Sequence, residues 1–148
     1  ASEAIARRLP IHEILAILAD VRRRVRVIAM LDTLEYVRRS GRVSWARARL
    51  GNLLQVKPFV EVRNGGRVVS LGEERTRKKG IARLKEWLRN LGDLERLAIL
   101  HTNAESEARQ FLADLSINLA HEPLIVNVTT VIGAHVGPNG LGFAAVLK

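Results

Sequence analysis

The sequence predicts an α/β domain with a mixed β-sheet packed against helices, and three observations carry that prediction. Short apolar and β-branched runs alternate with segments of helical periodicity, the pattern of strands connected through helices. One pair of runs is joined by Asn64-Gly65-Gly66, a tight-turn signal that adds an antiparallel hairpin to the set. The chain has 148 residues, of which 47% are hydrophobic, enough for a single core.

The elements follow in order. Pro10 opens a helix with Ile11, Ile14, Leu15, Leu18 and Val21 along one stripe, closed by Arg22-Arg23-Arg24, where cations suit a helix C-terminus. Because this stripe precedes the first strand, residues 1–24 read as a connecting helix that packs on something outside the chain, and residues 25–148 as the α/β domain. Val25 to Leu31 is a strand. Asp32 or Thr33 caps a short helix through Arg39, stopped by Ser40-Gly41, and Ser44 caps another carrying Trp45, Ala48, Leu50, Leu53 and Leu54. Val56–Arg63 and Arg67–Leu71 form the hairpin. A basic helix from Arg77 to Leu91 buries Ile81, Leu84, Leu88 and Leu91 and ends at Gly92. Leu94 to His101 is a strand, Ala104 to Ala120 an amphipathic helix, Leu124 to Val131 a strand, and Gly142 to Leu147 the last strand.

Charge and composition narrow the function. The net charge is +9, and 22 of the 24 Lys and Arg lie in residues 1–96, 19 of the 24 being arginine. An arginine-rich surface permits nucleic acid, an anionic membrane, an acidic protein or a phosphorylated ligand, and equally a plain solvated surface. The aromatic residues are few and scattered, which disfavours a stacking platform for nucleic acid. No run approaches a membrane span, and the absence of cysteine excludes disulfides and thiolate chemistry and fits a cytoplasmic protein. No metal-ligand spacing, nucleophile elbow or nucleotide-binding glycine loop is present, so neither a metal, a cofactor nor catalysis by this chain is expected.

Two segments stand out as candidate sites. Val131 to Gly142 places His135 among Gly133, Gly137, Gly140, Gly142 and Pro138, between two strand-like runs. Such a turn can expose backbone amides to an anion and present His135 at a sheet edge; a structural turn with a satisfied histidine fits the local pattern equally. The run from Glu73 to Gly80 gathers Arg75, Arg77, Lys78 and Lys79 at a helix start, where cations are unfavourable unless an anion or a partner compensates; a surface run balanced by Glu73 and Glu74 is the other reading.

Three segments, in order, resemble the DegV family of bacterial fatty-acid-binding proteins. Asp32 to Val43 is similar to the family's "tLeyLrrGGRi"; Gly51 to Pro58 and Arg75 to Lys79 are similar to "lgnlLnikPil" and "vRtrkKa"; and the His135 segment is similar to "iGtHtGPGalg". The sequence departs from these motifs where Ser40 replaces a glycine and where Asn139-Gly140 replaces Gly-Ala.

The resemblance covers the C-terminal domain of a two-domain family and the helix leading into it. It implies a fatty acid held between this domain and an N-terminal domain absent from the chain, with His135, Arg42, Arg75 and Gly133 as ligand-binding residues. It further implies a non-enzymatic protein that presents the acyl carboxylate to a separate fatty acid kinase, with Arg75 meeting the acyl phosphate or the kinase. The competing expectation is an arginine-rich module that binds nucleic acid or an acidic protein.

Overall fold

A computed structural model describes residues 1–41, 56–117, 119 and 121–148. The stretch before the first strand carries two helices, α1 (Ser2–Ala6) and α2 (Ile11–Arg24). They are separated where Arg8 takes a positive φ of 55° and Pro10 an extended conformation. The remaining elements are β1 (Val25–Met30), α3 (Glu35–Ser40), β2 (Lys57–Arg63), β3 (Arg67–Glu74), α4 (Arg77–Arg89), β4 (Leu94–His101), α5 (Glu105–Ala113), β5 (Leu124–Asn127), α6 (Thr130–Val136) and β6 (Leu141–Leu147). The predicted helix at Ser44 lies outside the described residues.

The strands form one sheet in the order β3-β2-β1-β6-β4-β5. The β4–β5 pair is parallel and the other neighbouring pairs are antiparallel, giving the mixed sheet expected. The hairpin turns through Asn64–Gly66 with Gly65 at φ 79° and Gly66 at φ 77°, which only glycine adopts without strain. Helix α3 stops at Gly41, and Thr33 accepts a hydrogen bond from the Glu35 amide at its start.

Side chains alternate across the strands, so the sheet has two distinct faces. One carries Ile28 and Met30 from β1, Phe59 from β2, Leu97 and Ile99 from β4, and Leu141, Phe143 and Ala145 from β6, all buried. Helix α4 covers it with Leu84 and Leu88, and α5 with Ala108 and Phe111. Trp87 stands edge-on to Phe59 with ring centroids 4.8 Å apart. The other face carries Val27, Ala29, Val60, Val62, Leu100 and Gly142. A smaller cluster of Leu31, Val37 and Val60, with Val136 against it, closes one end of that face beneath α3 and α6.

Two predicted boundaries are corrected. The helix expected over 104–120 ends at Ala113: Asp114 is its C-cap, its carboxylate taken by Lys85 and Gln110, and Leu115 turns into the core. The strand expected over 124–131 ends at Asn127, and α6 follows. The β-branched run Val128 to Ile132 favours a strand locally, but β4 ends at His101, opposite Asn127, and after Val128 donates to the His101 carbonyl there is no further strand to pair with. The backbone satisfies itself by coiling instead.

Candidate functional site

The open face of the sheet forms an apolar groove of about 330 Å³, within the range of small-molecule sites. Its floor is Val27, Ala29, Val60, Val62, Leu100 and Gly142, and its wall is built by Val37 from α3 and by Ile132, His135 and Val136 from α6. Large side chains on the covered face and small ones on the open face explain why one is packed and the other concave. His101, Thr102 and His135 border one end, the Thr102 hydroxyl engaged by Gly137 and Gly140 and His101 Nδ1 accepting from the Ala104 amide.

His135 sits on α6, in place of the glycine-rich turn expected for it; the turn begins at Gly137, the helix C-cap. Its Nδ1 is buried and has no hydrogen-bond partner among the described residues. Leaving such an atom unpaired costs on the order of 1–3 kcal/mol, so a side-chain movement that brings Nδ1 to a partner is favoured.

Thr102 holds the following turn. Its hydroxyl donates to the Gly137 carbonyl at 2.7 Å and accepts from the Gly140 amide at 2.6 Å, while its carbonyl accepts from the Asn139 amide at 2.7 Å. Gly137 has φ 79°, and a Cβ there would lie 2.3 Å from the Tyr36 ring, so the α3–α6 contact requires glycine. Asn139 takes φ 59°, the left-handed conformation that asparagine tolerates, so the turn survives the departure from the family motif. Ser40, the other departure, is accommodated within α3 at negative φ, and its hydroxyl donates to the Val37 carbonyl.

An ion-pair network lies on the same edge of the sheet. Asp32, just past β1, accepts from Lys57 at 2.6 Å and from Arg77 at 3.2 Å, and Arg77 also pairs with Glu107 at the start of α5. Burial works against the Asp32 carboxylate. The hydrogen bond and charge of Lys57, the charge of Arg77 and a side-chain hydrogen bond from Asn139 outweigh it and hold the pKa below its ordinary value. Burial likewise works against the Arg77 guanidinium, and Glu107 and Asp32 raise its pKa in spite of it.

Arg77 is therefore compensated internally, which answers part of the puzzle of cations at this helix start. Thr76 supplies the rest by accepting from the Lys79 amide as N-cap.

The four predicted site residues are placed unequally. His135 lines the groove. Arg75 lies exposed between β3 and α4, at the edge where β1 and β4 end, with no ion-pair partner among the described residues. Gly133 lies within α6, with open space where a Cβ would be. Arg42 lies outside the described residues. Sequence reasoning missed Thr102 and treated Asp32 only as a possible cap. A hydroxyl directly after a strand whose last residue pairs beside a glycine-rich turn was the available signal.

A mixed α/β domain, with one sheet face covered by helices and the other open as an apolar groove, is thus the class that fold and site define. The sequence matches the family described as uncharacterised protein, DegV family, over residues 1–148, and the chain belongs to that family. It is 35% identical over 141 residues to protein DegV of Bacillus subtilis, covering 93% of this chain and 50% of that one. It is 38% identical over 124 residues to a DegV domain-containing protein of Streptomyces coelicolor, covering 76% and 41%. The chain thus spans about half the length of these relatives.

Among solved structures, it is similar to the fatty-acid-binding DegV family protein of Thermus thermophilus, with a TM-score of 0.82, 30% identity, and coverage of 99% of this chain and 54% of that one. It is also similar to DegV of Bacillus subtilis, described as a fatty acid binding protein, with a TM-score of 0.76, 32% identity, and coverage of 99% and 53%.

Proposed function

We propose that this domain binds a long-chain fatty acid, with the acyl chain along the open sheet face and the carboxylate at the His135 end. The observation that carries the reading is the apolar groove along the open sheet face with His135 in its lining, the Nδ1 of that residue being buried and unpartnered among the described residues. An acyl chain buries apolar surface against Val27, Ala29, Val62 and Leu100, which contributes roughly 0.8 kcal/mol per methylene. The carboxylate meets His135 directly or through water, and Arg75 adds positive potential on the same edge. Arg42 and Gly133 complete the ligand-binding set that the family motifs imply.

The groove is open, so the domain supplies one wall of the pocket, and an N-terminal DegV domain supplies the other. Solved relatives described as fatty-acid-binding support the ligand class. In this reading the chain is a binder and not an enzyme: it shields the acyl tail and offers the carboxylate to a separate fatty acid kinase, with Arg75 facing the acyl phosphate or that kinase. The arginine-rich nucleic-acid reading draws no support from the aromatic residues, since Phe59, Phe111 and Phe143 are consumed by the core.

Native mass spectrometry of the gently purified protein tests the proposal. Retention of a long-chain acid, with affinity reduced about tenfold in His135→Ala, is the expected result. Equal affinity in the variant and the parent would remove the role of His135, and no bound or bindable acid, even with the domain joined to an N-terminal DegV domain, would remove the function.

A further inference from the structure

At the end of the sheet opposite His135, a second concavity of about 390 Å³ is bordered by Arg22, Arg23, Arg26, Arg63 and Arg67. It is assembled from two segments distant in sequence: the last turn of α2 running into β1, and both sides of the β2–β3 hairpin. We propose that this arginine pocket, which meets the acyl groove at Val27 and Val62, binds a soluble anion carrying two or more phosphate groups.

Charge balance is the first argument. Glu61 is buried and pairs with Arg26 at 3.1 Å and Arg63 at 2.8 Å, and Asp20 pairs with Arg23 at 2.9 Å. Arg22 and Arg67 are exposed and have no acidic partner among the described residues. The helix C-terminus favours Arg22 and Arg23, but it offers nothing to the hairpin arginines.

Register is the second argument. Arg63 and Arg67 stand directly opposite one another across the hairpin, a like-charge pairing whose repulsion Glu61 offsets only on the Arg63 side. A bound polyanion would turn that repulsion into attraction. Guanidinium forks suit phosphate oxygens in particular, because each presents two parallel donors.

Shape selects the occupant. The site is a cavity of small-molecule size. Its rim at Gly65 and Gly66 carries no side chain and has open space where a Cβ would be, so a ligand can approach the hairpin backbone closely. A nucleic-acid surface would call for an extended basic track with stacking side chains, and no aromatic residue borders this pocket.

Calorimetric titration of the full chain with inorganic tripolyphosphate at near-physiological salt tests the proposal. The expected result is saturable one-site binding, weakened about tenfold by Arg67→Ala and by Arg22→Ala, and within about twofold of the parent for Arg109→Ala, an exposed cation on α5. Two pocket variants are named so that a folding failure in one leaves the other to decide, with circular dichroism confirming the fold. Equal losses in all three variants would reduce the effect to net charge and overturn the site. So would absence of saturation, or binding to anionic vesicles or duplex DNA without binding to tripolyphosphate. Fatty-acid affinity measured alongside keeps this result separate from the fate of the acyl groove.

Discussion

The two faces of the sheet are cut from the same strands, yet they do opposite things. On the covered face, Met30, Phe59, Ile99 and Phe143 fill the space beneath α4 and α5 and are inaccessible to solvent. On the other face the alternate positions hold Val27, Ala29, Val62 and Gly142, and the helices α3 and α6 close only one end. Alternation along a strand thus separates stability from binding: one set of residues holds the domain together, and the set between them leaves room for a ligand.

The largest expected effects are on the covered face. Phe143→Ala removes a fully buried ring and should lower stability by about 3–5 kcal/mol in urea unfolding. Val62→Trp on the open face, where the side chain is 41% exposed, should shift stability by no more than about 0.5 kcal/mol while weakening acyl binding about tenfold by obstructing the groove. If Val62→Trp unfolded the domain, or left acyl binding intact, the division of labour between the faces would fail.

A smaller effect belongs to the Asp32 network on the same edge of the sheet as His135. Asp32 has a folded pKa below its ordinary value, so its contribution is complete above the unfolded pKa of about 3.9 and is lost as pH falls through the folded one. Asp32→Asn should therefore be less stable than the parent by about 1–2 kcal/mol at neutral pH, the low side being favoured by the partial exposure of the group. The difference should narrow as pH falls below the unfolded pKa and close below the folded one, which urea midpoints across a pH series would show. A difference that stayed constant with pH would mean that the carboxylate charge is not what Lys57 and Arg77 hold.

The covered face was also the more legible in the sequence. Leu84 and Leu88 at helical spacing, the alternation in β4 and the Asn64-Gly65-Gly66 turn are local signals, and each predicted its element within a few residues. The open face was legible mainly through family motifs, because a groove is defined by what is missing between strands distant in sequence.

The helical placement of His135 was hidden for a related reason. Thr129 to Ile132 favour a strand, and only the end of β4 at His101 denies them a partner. The internal pairing of Arg77 with Asp32 and Glu107 joins residues 45 and 30 positions apart, beyond any local pattern.

The central claim is that the open face is the acyl-binding surface with His135 at its head-group end. The most direct measurement is a titration of the isotopically labelled chain with a long-chain fatty acid, followed by methyl, aromatic and histidine side-chain resonances. Shifts concentrated at Val27, Ala29, Val62, Leu100 and His135, with Ile28, Phe59 and Phe143 nearly unmoved, are the predicted result. Shifts confined to the covered face or to α2, with His135 unchanged, would contradict it.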